Sequence, residues 1–88
     1  MKLSLNQIDD MRHAVGLEVS KLRKGQRKYT AYRNHFVASV RSDEWDELCF
    51  HGLADWAADE KWNQIFYKVT PDGLKLLEYI YGVSIEVM

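Results

Sequence analysis

The chain has 88 residues, a net charge of −1, 47% hydrophobic residues, 11 aromatics and one cysteine. That length leaves room for a single domain, spanning residues 1–88, with a modest core; the apolar share excludes a disordered tail, and one cysteine excludes an internal disulfide framework and favours a reducing, cytoplasmic setting. No apolar run reaches the roughly 18 residues of a membrane span, and Asp9 and Asp10 interrupt the apolar start too early for a signal peptide, so no membrane partner is expected.

Ser4 and Gln7 have the spacing of a capping box, and Ile8, Met11 and Val15 share one helical face, which predicts a helix over about 4–15 ended by Gly16. Val19 and Leu22 fit a short second helix, after which Gly25 and a run of basic residues predict a mobile loop at 23–28. In "YTAYRNHFVASV" Thr30 is a capping residue and Tyr32, Phe36 and Val40 recur every fourth residue, which predicts a helix of about ten residues. Ser42, followed by Asp43 and Glu44, starts another short helix that carries Trp45, Leu48 and Cys49 on one face and stops at Gly52.

Residues 54 to 69 sort cleanly as an antiparallel hairpin around a turn at 60–63. Ala54 then faces Val69, Trp56 faces Tyr67 and Ala58 faces Ile65 on one side, while Asp55 faces Lys68 on the other. Trp56 and, further on, Leu77 are expected in the core. Thr70 caps the last helix, about 71–81, and Pro71 suits its first position. Gly73 in its first turn costs roughly 1 kcal/mol relative to alanine. Leu74, Leu77 and Tyr81 form its apolar stripe, Gly82 ends it, and "VSIEV" alternates as a closing strand or as an edge, Val83–Val87, through which a homodimer could pair.

Charge is split along the chain. Residues 1 to 41 hold nine Lys/Arg against three Asp/Glu, whereas residues 42 to 88 hold three against ten. A basic and an acidic region follow, either to attract one another or to meet partners. Lys21, Arg23, Lys24, Arg27, Lys28 and Arg33 fall within 13 residues, with Tyr29 and Tyr32 between them. Such cations displace counterions from phosphates and tyrosines stack or hydrogen-bond beside them, so Lys21, Arg23, Lys24, Arg27, Lys28, Tyr29 and Arg33 are the candidate DNA- or RNA-binding residues.

Little else points to chemistry. His13, His35, His51 and Cys49 are the soft ligands, but they lack the paired spacings of zinc sites. Neither a phosphate loop nor a nucleophile elbow occurs. Asn34 and His35 read best as residues that hydrogen-bond backbone and fix a helix junction. No cofactor, metal or catalytic residue is expected, and the chain reads as a non-enzyme.

Two resemblances attach to these motifs. Gly52 and Leu53, a hairpin, then Thr70, Pro71 and Gly73 entering a helix resemble the second half of winged-helix domains, over about residues 43 to 81. Arg12, His13, Gly16 and Leu17, the segment Tyr32 to Phe36, Gly52 with Leu53, and Thr70 with Gly73 resemble, in that order, small uncharacterised proteins of bacteriophages and prophages. The expectation is therefore a helix-rich α+β, winged-helix-like domain that binds nucleic acid, or else a phage factor that acts on a host or phage protein. One feature opposes ordinary groove reading: the helix before the wing, "DEWDELCFH", has four acids in nine residues.

Overall fold

The computed structural model describes residues 3 to 88. Its first helix, α1 (Leu5–Ala14), is closed by the capping box: Ser4 Oγ accepts from Gln7 N at 3.1 Å and Gln7 Oε1 from Ser4 N at 2.9 Å. The chain then passes through a 3-10 turn (Val19–Lys21) into β1 (Lys28–Ala31) and β2 (Phe36–Ala38), followed by α2 (Asp43–Phe50), β3 (Ala54–Asp59), β4 (Gln64–Val69), α3 (Pro71–Tyr81) and β5 (Ser84–Val87). The architecture is a small α+β domain with, among the described residues, three α-helices and two sheets. One is the parallel pair β1–β5, the other has the order β2–β4–β3.

The hairpin forms with the expected pairings: Ala54 opposite Val69, Asp55 opposite Lys68, Trp56 opposite Tyr67 and Ala58 opposite Ile65. Its base is tied to α3 by the residues at the junction. Thr70 Oγ1 donates to Gly52 O at 2.7 Å and accepts from Gly73 N at 3.2 Å, and Thr70 N donates to Leu53 O at 3.0 Å. Thr70 thus caps α3 and clamps the end of the hairpin to the turn that starts it.

The helix expected over 30–40 is not there. Residues 36–38 pair antiparallel with β4, Phe36 opposite Tyr67 and Ala38 opposite Ile65, and residues 28–31 pair in parallel with β5. A spacing of four satisfies a strand as well as a helix, because residues 32, 36 and 40 also lie on one side of an extended chain. The aromatic and β-branched content of the segment then favours the strand. Phe36 gains a stacked position 5.6 Å from Trp45, which in turn lies 5.4 Å from Tyr67. Among the described residues α2 is therefore the one α-helix between β1 and the hairpin, and the two consecutive helices of a helix-turn-helix are not formed ahead of it.

Met11, Val15 and Leu17, the aromatic pair Trp45 and Tyr67, and Leu48 and Leu77 are fully buried. Trp56, expected among them, is 47% exposed. It does lie on the inner face of the sheet, but β3 is an edge strand, and what covers the ring is the Arg41 guanidinium, 3.8 Å from its centroid. Arg41 also holds Asp46, whose carboxylate accepts from Tyr67 Oη at 2.8 Å. The closing strand is present, and its outer edge is partly used: Ser84 N donates to Arg27 O, just before β1, and Met88 N to Ala31 O, so Ile85 N faces outward, where it donates to Glu78 Oε2 at 2.7 Å. That carboxylate occupies part of the edge a second copy would need. No helix among the described residues is long and apolar enough to cross a membrane.

Candidate nucleic-acid interface

The basic segment begins at the 3-10 turn. Lys21 is exposed and pairs with Glu18 at 3.3 Å. Residues 23–28, expected as a mobile loop, form a turn organised by one side chain. Gln26 Oε1 accepts from Arg23 N at 3.0 Å, Gln26 N donates to Arg23 O at 2.9 Å, and Gln26 Nε2 donates to Lys28 O at 2.7 Å. Gly25 supplies the left-handed step, φ +82°. Arg23, Lys24, Arg27 and Lys28 project from this turn as exposed side chains. The turn is anchored where Arg27 O accepts from Ser84 N at 2.7 Å.

The two tyrosines have separate jobs. Tyr29 is half-buried and its hydroxyl reaches Gly16 O at 2.8 Å and Val15 O at 3.1 Å, which ties β1 to the end of α1. Burial pushes its pKa up from the ordinary 10.0. A tyrosine held this way is a structural residue, so Tyr29 is a weak choice for stacking. Tyr32 is 68% exposed and rests against Gly16, whose φ of +70° and missing Cβ leave the space: a Cβ there would come within 3.0 Å of the ring. Arg33 lies 5.5 Å from the Tyr32 centroid and donates from Nη2 to His13 O at 2.8 Å, so it also serves the carbonyl end of α1. Gly16, Glu18, Lys21, Leu22, Gln26, Tyr29 and Tyr32 line a shallow groove of about 260 Å³. Of the candidate cations Lys21 lines this groove, Arg23 and Lys24 line a separate depression at the turn and Arg27 another beside Glu78; Tyr32 is the exposed ring that the candidate set left out. Its signal was its place between Ala31, which faces the core, and the charged Arg33.

α2 presents the opposite charge, with Asp43, Glu44 and Glu47 all exposed. Asp10 of α1 meets Glu44: burial first, then a hydrogen bond from one carboxyl to the other, pushes the Asp10 pKa from 3.8 up to about 7. The protonated carboxyl can share its proton with Glu44 and so link α1 to α2.

A larger cavity, about 640 Å³, opens on the three-stranded sheet and is lined by His35, Cys49, Asp55, Trp56, Phe66 and Lys68 among others. It does not assemble a nucleophile. Burial pushes the Cys49 thiol upward, towards the neutral form. Among the described residues no group of three or more His, Cys, Asp or Glu could hold a metal ion. Asn34 bonds backbone, at Val69, and His35 N donates to Ala14 O at 3.1 Å, so this segment does fix a junction, though of strands. The chain matches no family model, no curated protein and no solved structure.

Proposed function

We propose that the chain is a small, phage- or prophage-type protein that binds nucleic acid without catalysing a reaction, and that it does so through Lys21, Arg23, Lys24, Arg27, Lys28 and Arg33. On this reading residues 43 to 81 are a winged-helix-like frame whose helix has given up groove reading. The single observation that carries the proposal is the segregation of charge. Six exposed cations fall within residues 21–33, Lys21 among them in the Tyr32 groove, while α2, which on this reading takes the position of a recognition helix, is acidic. Carboxylates set against phosphates repel, and several cations acting together on a phosphate chain attract and release counterions. A mobility-shift series against salt tests it. If all six cations engage a duplex, log K falls against log salt with a slope of roughly −5. No shift of DNA or RNA at low salt would end the reading.

A second reading is a protein-interaction module, a phage factor acting on a host protein. It is favoured by the outer face of the three-stranded sheet, where Val37, Phe66 and Ala57 form a cross-strand row left exposed. Capture of a host protein by the wild type, lost in Phe66→Glu, would support it.

A further inference from the structure

We propose that the basic surface selects single-stranded nucleic acid, with one base stacked on Tyr32; the inference rests on the nucleic-acid reading above and narrows it. Two observations carry it. The first is the state of the Tyr32 ring. Other aromatic rings of the chain are as exposed, Phe50 and Tyr79 among them, but this one, 68% exposed, lies against the backbone of Gly16, where no Cβ intervenes. Tyr29 fixes the floor by bonding Gly16 O and Val15 O. A ring presented to solvent on a rigid seat loses little freedom when a flat partner covers it.

The second observation is the set of groups around it. The Arg33 guanidinium lies over the ring at 5.5 Å from its centroid, oriented by its bond to His13 O, and Lys21, paired with Glu18, lines the same groove. Lys28 begins the strand that leads to the ring, and Arg23, Lys24 and Arg27 come from the turn before it. Cations strung along a chain beside an exposed aromatic are what a phosphodiester with unpaired bases requires: charges for the backbone, a π-face for the base. A duplex does not offer that π-face, since its bases are stacked on one another inside. Nor does the fold supply a groove reader, because α2 is acidic and no second helix precedes it in a helix-turn-helix. Stacking is indifferent to base identity, so the site takes DNA and RNA single strands alike, with a preference that comes from flexibility of the strand.

Fluorescence anisotropy with labelled dT15, U15 and a 15-base-pair duplex tests this, on the wild type, Tyr32→Ala, Tyr32→Phe and the Arg23, Lys24, Arg27, Lys28 tetra-alanine variant, each checked for an unchanged melting temperature. The expected result is tighter binding of both single strands than of the duplex. Tyr32→Ala should weaken single-strand binding about five- to a hundredfold and leave duplex binding unchanged, while Tyr32→Phe keeps wild-type affinity. Equal binding of the three probes, or equal losses on single strand and duplex in Tyr32→Ala, overturns the single-strand inference and leaves the nucleic-acid reading standing. Binding of none of the probes at low salt overturns both.

Discussion

Asn34 and Val69 are joined by two hydrogen bonds that run in opposite directions: Asn34 Nδ2 donates to Val69 O and Asn34 Oδ1 accepts from Val69 N, each at 2.9 Å. A side-chain amide thus stands in for a backbone rung where β2 has not yet begun and β4 is ending. The next rung, Phe36 opposite Tyr67, is made by the strands themselves. Asn34→Ala leaves both backbone groups of Val69 without that partner, at a cost of roughly 1 to 3 kcal/mol. Asn34→Asp keeps the acceptor but turns a carboxylate oxygen towards Val69 O where the donor was, so at neutral pH its melting temperature should fall at least as far as that of the alanine variant.

Gly73 reverses the ordinary rule for a glycine in a helix. Propensity alone makes Gly73→Ala stabilising by roughly 1 kcal/mol. In the fold, a Cβ at this position would run into the carbonyl oxygen of Leu53 and the Val69 side chain. That carbonyl also accepts from Thr70 N, which fixes it in place. Backbone cannot yield as a side-chain end does, so packing decides. Gly73→Ala should lower the melting temperature, and a rise would show that the hairpin base is looser than its hydrogen bonds indicate.

The tryptophans separate core from rim. Trp45 is 1% exposed in the middle of the aromatic stack, and Leu77 is fully buried on α3. Trp45→Ala should cost roughly 3 to 5 kcal/mol and Leu77→Ala roughly 2 to 5 kcal/mol, enough to unfold a domain of this size at moderate temperature. Trp56→Ala should cost clearly less, because its ring already meets solvent. Urea midpoints of the three variants rank them. Trp56 alongside Trp45 in severity would mean that the Arg41 contact organises the whole edge of the sheet.

What was legible in the residues follows from how local each cause is. Ser4 with Gln7, Ser42 with its acids, and Thr70 with Pro71 act within one helical turn, so the three helices could be read from short windows. The hairpin register was legible because one pairing alone sorts apolar from polar residues on both arms. Residues 28–38 were not, since their partners are remote: Lys28 pairs with Ser84 and Phe36 with Tyr67. A four-residue spacing cannot tell a helix from a strand when the deciding hydrogen bonds lie elsewhere. The same holds at the candidate site. The cluster of cations is visible in the sequence, but which tyrosine is free depends on the carbonyls of Val15 and Gly16, at the far end of α1.

Stability should depend on pH near neutrality through Asp10. Its carboxyl titrates at about 7 in the fold against an ordinary 3.8, driven by burial, then by the hydrogen bond with Glu44 and the charges of Glu44 and Asp9. Because the folded pKa is the higher one, the folded state holds a proton that the unfolded chain releases between these values. The contribution is therefore fully present below pH 4 and is lost as pH rises towards and through 7. Asp46 works in another window: Arg41 first, and Tyr67 as well, hold its pKa below 3.8, so that pair is lost only in stronger acid. The melting temperature should thus be lower at pH 8 than at pH 5, and Glu44→Gln, which removes one charge of the pair, should shrink the difference. An equal difference in the variant would place the pH response elsewhere.

The opposed charges of the two halves make the final prediction. Arg23, Lys24, Arg27 and Lys28 are exposed around one turn, where their hydrogen bonds involve backbone atoms and the Gln26 side chain rather than the charged groups. Their replacement by alanine should spare the fold, because Gln26 still closes the turn through the Arg23 and Lys28 backbones. If the chain binds nucleic acid as proposed, the replacement should remove that binding and flatten what salt dependence remains, since four cations that would meet phosphates are lost together. Asp43, Glu44 and Glu47 lie on exposed α2, and changing all three to amides should leave binding equal or tighter by relieving repulsion of the phosphate chain. Asp43 and Glu44 also sit in the first turn of α2, where negative charge favours the helix dipole, so the amide variant should melt slightly lower even as it binds. A tetra-alanine protein that binds as the wild type does would reduce the basic turn to a solvated surface. An amide variant that loses binding would move the contact to α2.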